Sequence, residues 1–99
     1  MPKDFLRFYL TGDFYSDLSD ASGTYWLDIA KREWSQKLLD AGSMQISQMP
    51  KVCEGTDQTG TLKKEIADKY GFSKNCKVYG GAGDNAAAAV GLGLYEEGD

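Results

Sequence analysis

The 99-residue sequence contains no histidine. That absence removes the usual zinc ligand, the Ser–His and Cys–His nucleophile pairs, and imidazole as a proton carrier. Cysteine is scarce: Cys53 and Cys76 stand alone, at a spacing that fits no metal motif. With no secretory signal legible, both read as reduced, partly buried thiols of a cytoplasmic protein rather than as a disulfide. No apolar run approaches the roughly 18 residues of a membrane span. Basic residues cluster no further than the pairs Lys31-Arg32 and Lys63-Lys64, and the net charge is −4. Nucleic acid and anionic membrane surfaces are therefore poor partners. Among Asp13 to Ser22 the aspartates lack the spacing and the terminal glutamate of a calcium loop.

What is present suits a small α/β unit. With 41% hydrophobic and 12% aromatic residues the chain can build a core, though a length of 99 residues makes one ordinary domain or part of a larger one. Pro2 suits a first helical turn, and Phe5, Leu6, Tyr9 and Leu10 recur at helical spacing up to Thr11-Gly12. That aromatic stripe reads as a core face. Asp13 to Ser22 reads as turns or a short capped helix. Tyr25-Trp26-Leu27-Asp28-Ile29 reads as a strand, and Lys31-Arg32-Glu33 turns the chain. Ser35 is placed to cap a helix carrying Leu38 and Leu39 and ending at Gly42. Ser43 to Thr56 reads as irregular, and Gln58 to Thr61 as a short strand. Thr61 is placed to cap a helix with Ile66, Ala67 and Tyr70 on one face, stopped at Gly71 with Phe72 packing back. Lys77 to Gly80 reads as the last strand. Alternating helices and strands argue α/β.

The most informative stretch is Gly80-Gly81-Ala82-Gly83-Asp84-Asn85-Ala86-Ala87. It follows the apolar pair Val78-Tyr79 and leads into alanine-rich sequence, an order that reads as strand, glycine turn and helix. An acidic residue at such a turn sits where a ligand approaches the end of a parallel strand. Three readings compete. Gly81-x-Gly83-x-x-Ala86 formally fits a dinucleotide fingerprint, but Asp84 puts negative charge where a pyrophosphate binds, and no Gly-Lys-Ser/Thr occurs. Asp84 or Asn85 could instead cap the helix. Or Asp84 acts as a general base for a bound hydroxyl, with the Asn85 amide donating and accepting beside it.

Four stretches together resemble a known family, the FGGY carbohydrate kinases, and among them the branch that phosphorylates ketopentoses. They are Pro2-Lys3-Asp4-Phe5-Leu6-Arg7 through Leu10-Thr11-Gly12-Asp13; Ser19-Asp20-Ala21-Ser22-Gly23-Thr24 with Asp28 and Trp34-Ser35; Pro50-Lys51-Val52 with Glu54-Gly55-Thr56 and Gly60; and Gly80 to Ala87. The last is the most specific, and all four stand in the family's order over nearly the whole chain. The resemblance implies a ribonuclease-H-like, actin-type ATPase fold of two domains with the active site between them. Residues 1–99 are then a partial N-terminal domain, truncated at both ends. It maps the catalytic base onto Asp84 and a sugar contact onto Asn85, and gives Ser19 to Ser22 a structural role close to the site. It implies transfer of the γ-phosphoryl of ATP to a sugar hydroxyl, with D-xylulose as the expected ketopentose. ATP and Mg2+ belong to the full-length parent, and neither is expected on this piece. The partners are the sugar substrate and the remainder of the parent chain, and the isolated piece is expected to self-associate. The alternatives are another FGGY-type sugar or polyol kinase and a stand-alone α/β binding module without catalysis.

Overall fold

Met1-Pro2 begins a helix because proline's fixed φ and missing N–H cost nothing in a first turn. The computed structural model, which describes residues 1–94, 96 and 98, opens on α1 (Pro2–Thr11), ended at Gly12, whose N–H donates to Phe8 O. There follow β1 (Tyr15–Asp17), α2 (Leu18–Ser22), β2 (Leu27–Asp28), β3 (Glu33–Trp34) and α3 (Gln36–Ala41). A 3-10 turn (Ile46–Gln48) then leads to β4 (Lys51–Cys53), β5 (Gln58–Thr61), α4 (Lys64–Tyr70), β6 (Lys77–Tyr79) and α5 (Asp84–Gly91). The expected α/β alternation holds.

The strands pair two by two. β1 and β4 are parallel, with Tyr15 opposite Lys51, Ser16 opposite Val52 and Asp17 opposite Cys53. β2 pairs antiparallel with β3, and β5 antiparallel with β6. This corrects one expectation: the strand that feeds the glycine turn is antiparallel to its neighbour. A small core sits under β5 and β6, where Leu62, Ile66 and Ala67 are buried against Leu10, Cys76 and Val78.

Helix α1 follows the expected polarity only at Leu10, which packs on that core. Phe5, Leu6 and Tyr9 are 70%, 56% and 52% exposed, and Arg7 is the helix's buried residue. Phe8 stacks on Phe14 with ring centroids 4.4 Å apart, beside an apolar groove of about 410 Å3 that Phe5, Met49 and Pro50 also line. The radius of gyration is 15.3 Å, above the roughly 13 Å of a compact 100-residue domain. The body is correspondingly flat, 42 × 37 × 18 Å.

Other departures have local causes. Tyr25 adopts φ 64°, a left-handed backbone that breaks the extended run expected from residue 25, and only Leu27–Asp28 pairs as strand. The stretch Ser43 to Thr56, expected to be irregular, contains the 3-10 turn and β4, with Pro50 just before β4, a place where its missing donor is harmless. The expected turn region after Asp13 contains β1. Thr61 ends β5 and caps nothing, because backbone bonds from Leu62 N to Cys76 O and Lys63 N to Leu10 O keep the chain extended up to the N-cap at Lys63. Ser35 does cap α3, accepting from Leu38 N, and Gly71 does stop α4, its N–H donating to Ala67 O. Phe72 N also donates to Ala67 O, but the residue is 55% exposed.

Candidate active site

The glycine turn is built by close backbone approach. Gly80 N donates to Asp57 O and Gly81 N to Gly55 O, both at 2.9 Å. A Cβ on Gly80 would lie 2.3 Å from Glu54 O, and one on Gly55 would lie 2.4 Å from Gly81 O. Gly81 itself has φ 75°, a conformation glycine adopts without steric cost. The turn is therefore laid directly on the 54–57 loop, at a spacing that side chains would prevent.

Its other support comes from the chain's beginning. The Arg7 guanidinium, 4% exposed, donates to Asp4 Oδ1 at 2.9 Å, to Tyr15 O at 2.8 Å and to Gly80 O. Planar, multiply donating guanidinium is suited to tying three acceptors at once. Ser16 Oγ donates to Asp4 Oδ2 at 2.8 Å. Lys3 Nζ donates to Asp17 Oδ1 and, at 3.1 Å, to Asp4 Oδ1. Asp20 lies 3.6 Å from the same ammonium.

Asp17 is 1% exposed and caps α2, accepting from Ser19 N at 3.1 Å, Asp20 N at 3.2 Å and Ser19 Oγ at 2.5 Å. Burial pushes its carboxyl up, but the bonds from Lys3, Ser19 and the Asp20 N–H outweigh it and hold the group below the ordinary 3.8. Burial likewise works to lower Lys3, and the bonds to Asp17 and Asp4 carry it above 10.5. The sign of the pH dependence follows. Asp17 stabilises the fold above 3.8, and that contribution is lost as pH falls through its lower folded value. Lys3 stabilises below 10.5, and its contribution is lost as pH rises through its higher folded value. The wild-type advantage over a Lys3→Met variant in urea midpoint should be flat between those limits and shrink beyond both.

Asp4, Asp17 and Asp20 bring carboxylate oxygens within 4.8 Å of one another, but Lys3 already supplies the positive charge among them. This set does not fit a magnesium ion. Cys53 lies under the turn, its thiol pushed up by burial and partly relieved by Arg7. Cys53 is buried and Cys76 half-buried, and the two are not joined to each other.

Asp84 is the first residue of α5, and Asn85 the second; both are exposed. Neither is the cap. Gly83 holds the N-cap position, without a side-chain cap bond, so the capping reading of Asp84 and Asn85 is corrected. Gly83 N donates to Ser19 Oγ at 2.9 Å, which brings the turn and the Ser19–Ser22 stretch into contact. Beside them lies a cleft of about 730 Å3. The cleft is walled by Gly81, Ala82, Ala86, Ala87 and Val90 and by Asp17, Ser19 and Ser22. Gly55 and Thr56 line it too, as do Arg32 and Glu54, which form an ion pair. Asp84 and Asn85 flank those wall residues in sequence without lining the cleft. Sequence reasoning gave Lys3, Arg7 and Asp17 no part in the site. The local signal for the first two is the Lys-Asp-x-x-Arg spacing in the first turns of α1, and for Asp17 its place as the residue before the short helix α2.

No helix among the described residues is long and apolar enough to cross a membrane. The N-terminal domain model of the FGGY family of carbohydrate kinases matches residues 1–91. Xylulose kinases from Escherichia coli and Lactococcus lactis are 49% and 46% identical over 96 and 97 residues. Those matches cover 97% and 98% of this chain and 20% and 19% of theirs, so the chain spans about one fifth of the length of these relatives. In structure it resembles a xyloylose kinase from Brucella ovis, with TM-score 0.94, 45% identity and coverage of 99% of this chain and 20% of that one. A glycerol kinase from Plasmodium falciparum, solved with ADP, matches at TM-score 0.85 and 28% identity over 97% of this chain and 19% of its own. The expected actin-type sugar kinase fold thus holds over this segment, and the chain belongs to the FGGY family of carbohydrate kinases.

Proposed function

We propose that this chain is part of the N-terminal domain of a xylulokinase, which transfers the γ-phosphoryl group of ATP to a hydroxyl of D-xylulose. The observation that carries the reading is Asp84 at the first position of α5, exposed, directly after a turn tied down at Gly80, Gly81 and Gly83. Similarity to xylulose kinases over nearly the whole chain supports the sugar. Family membership does not favour a stand-alone binding module.

Asp84 accepts the proton of the attacking sugar hydroxyl, and Asn85 holds a neighbouring hydroxyl by donating from its amide. Phosphoryl transfer is mainly positioning and charge stabilisation, so a carboxylate on a rigid backbone is the contribution this segment makes. Among the described residues there is no phosphate-cradling loop, and the Asp4, Asp17 and Asp20 cluster already holds Lys3; in this reading ATP and its metal are held by other residues of the full-length protein. A sugar panel assayed with that protein tests the reading, with D-xylulose expected to be the best substrate and a polyol preference favouring another FGGY kinase.

The isolated chain should bind neither magnesium-ATP nor sugar measurably, and it should self-associate. Phe5, Phe14, Tyr25, Ile29, Val90 and Leu92 are each more than 60% exposed, an apolar surface of the kind that marks an interface. Calorimetry with each ligand and light scattering for mass check this; a monomer that binds ATP tightly contradicts it.

A further inference from the structure

The incoming half of the glycine turn is fixed by Arg7, Asp57 and Gly55, all upstream of Gly83. Asp84 follows Gly83 directly, so the direction of its side chain depends on how the Gly83 peptide is held. Gly83 N donates to Ser19 Oγ at 2.9 Å. A serine hydroxyl is a free rotor unless its own proton is committed. Here that proton goes to Asp17 Oδ2 at 2.5 Å, which fixes where the Ser19 lone pairs point. Asp17 is itself immobile: it is buried, takes two backbone N–H groups, and gives its other oxygen to Lys3. The result is a directed chain, Lys3 to Asp17, Ser19 to Asp17, and Gly83 N to Ser19, ending one residue before Asp84.

We propose that Ser19, held by the Asp17–Lys3 pair, is a positioning residue that sets the aim of the Asp84 carboxylate. This rests on the reading of Asp84 as the proton acceptor. Ser19 does not touch the transferred proton. It acts by denying the turn the small rotations that would swing the carboxylate off the sugar hydroxyl, and a misplacement of about 1 Å can cost about a hundredfold in rate.

The test is a double-mutant cycle in the full-length protein, measuring kcat and the D-xylulose KM for wild type, Ser19→Ala, Ser19→Thr, Asp84→Asn and Ser19→Ala with Asp84→Asn. Ser19→Ala should lower kcat about 10–100-fold and move KM less than about twofold; it removes one bond to the buried Asp17, but Asp17 keeps Lys3 and two backbone N–H groups, so the protein should stay folded at the assay temperature. Ser19→Thr, which keeps the hydroxyl, should recover most of the rate. On the Asp84→Asn background Ser19→Ala should cost almost nothing, because the group it aims is gone. An equal loss on both backgrounds, a wild-type kcat, or a loss explained by a lowered midpoint each overturns the positioning role while leaving Asp84 as base. An Asp84→Asn enzyme with full turnover overturns both at once.

Discussion

Asp84→Asn in the full-length protein should abolish phosphorylation of D-xylulose while leaving its binding nearly intact. The amide has almost the shape of the carboxylate and keeps one carbonyl oxygen, so contacts to the bound sugar survive. It has no basic oxygen to take the hydroxyl proton. Loss of a general base costs about 10²–10⁴-fold in rate, and the upper end applies where the same group also orients the nucleophile. Steady-state rates report the first effect and calorimetry with D-xylulose the second. A mutant with near wild-type turnover would reduce Asp84 to a helix-terminal residue, favoured there by the backbone N–H groups alone.

Gly80→Ala should both destabilise the protein and inactivate it. The added methyl meets Glu54 O at 2.3 Å, with Cys53 Sγ and Gly55 Cα at 3.1 Å. Two of these three atoms are backbone, so no side chain can swing away to relieve the contact. Overpacking of this kind costs about 3 kcal/mol, and the turn that carries Asp84 must move to accommodate it. Gly91→Ala is the matching control. Among the described residues a Cβ there meets nothing within 4 Å, and in a helix alanine is favoured over glycine by up to about 1 kcal/mol. Chemical denaturation of both variants, with activity measured beside it, separates a steric cause from a general intolerance of this region. Equal stability of Gly80→Ala and wild type would mean the turn is not seated as described.

What the sequence made legible was local. The strand–glycine–helix order placed Asp84 at a helix start because apolar, glycine and alanine runs each carry a conformational preference within a few residues. Ser35 and Gly71 announced their helix ends for the same reason. What it concealed was set by distant partners. Arg7 is buried because its acceptor, Gly80 O, arrives from 73 positions away, and nothing in α1 alone distinguishes it from a solvated arginine. The aromatic stripe of α1 was misleading in the opposite sense: its period was right for a helix, but the face it marks is exposed on this chain. Tyr25 shows a third limit. Strand propensity is a matter of fitting a half-buried pleat, and a single left-handed residue overrides it.

The most direct measurement is ADP formation by the full-length protein as a function of D-xylulose concentration at fixed magnesium-ATP. The account predicts saturable ADP release that depends on the sugar and yields an equal amount of sugar phosphate. ADP release that is indifferent to D-xylulose, with no phosphorylated sugar formed, would contradict it.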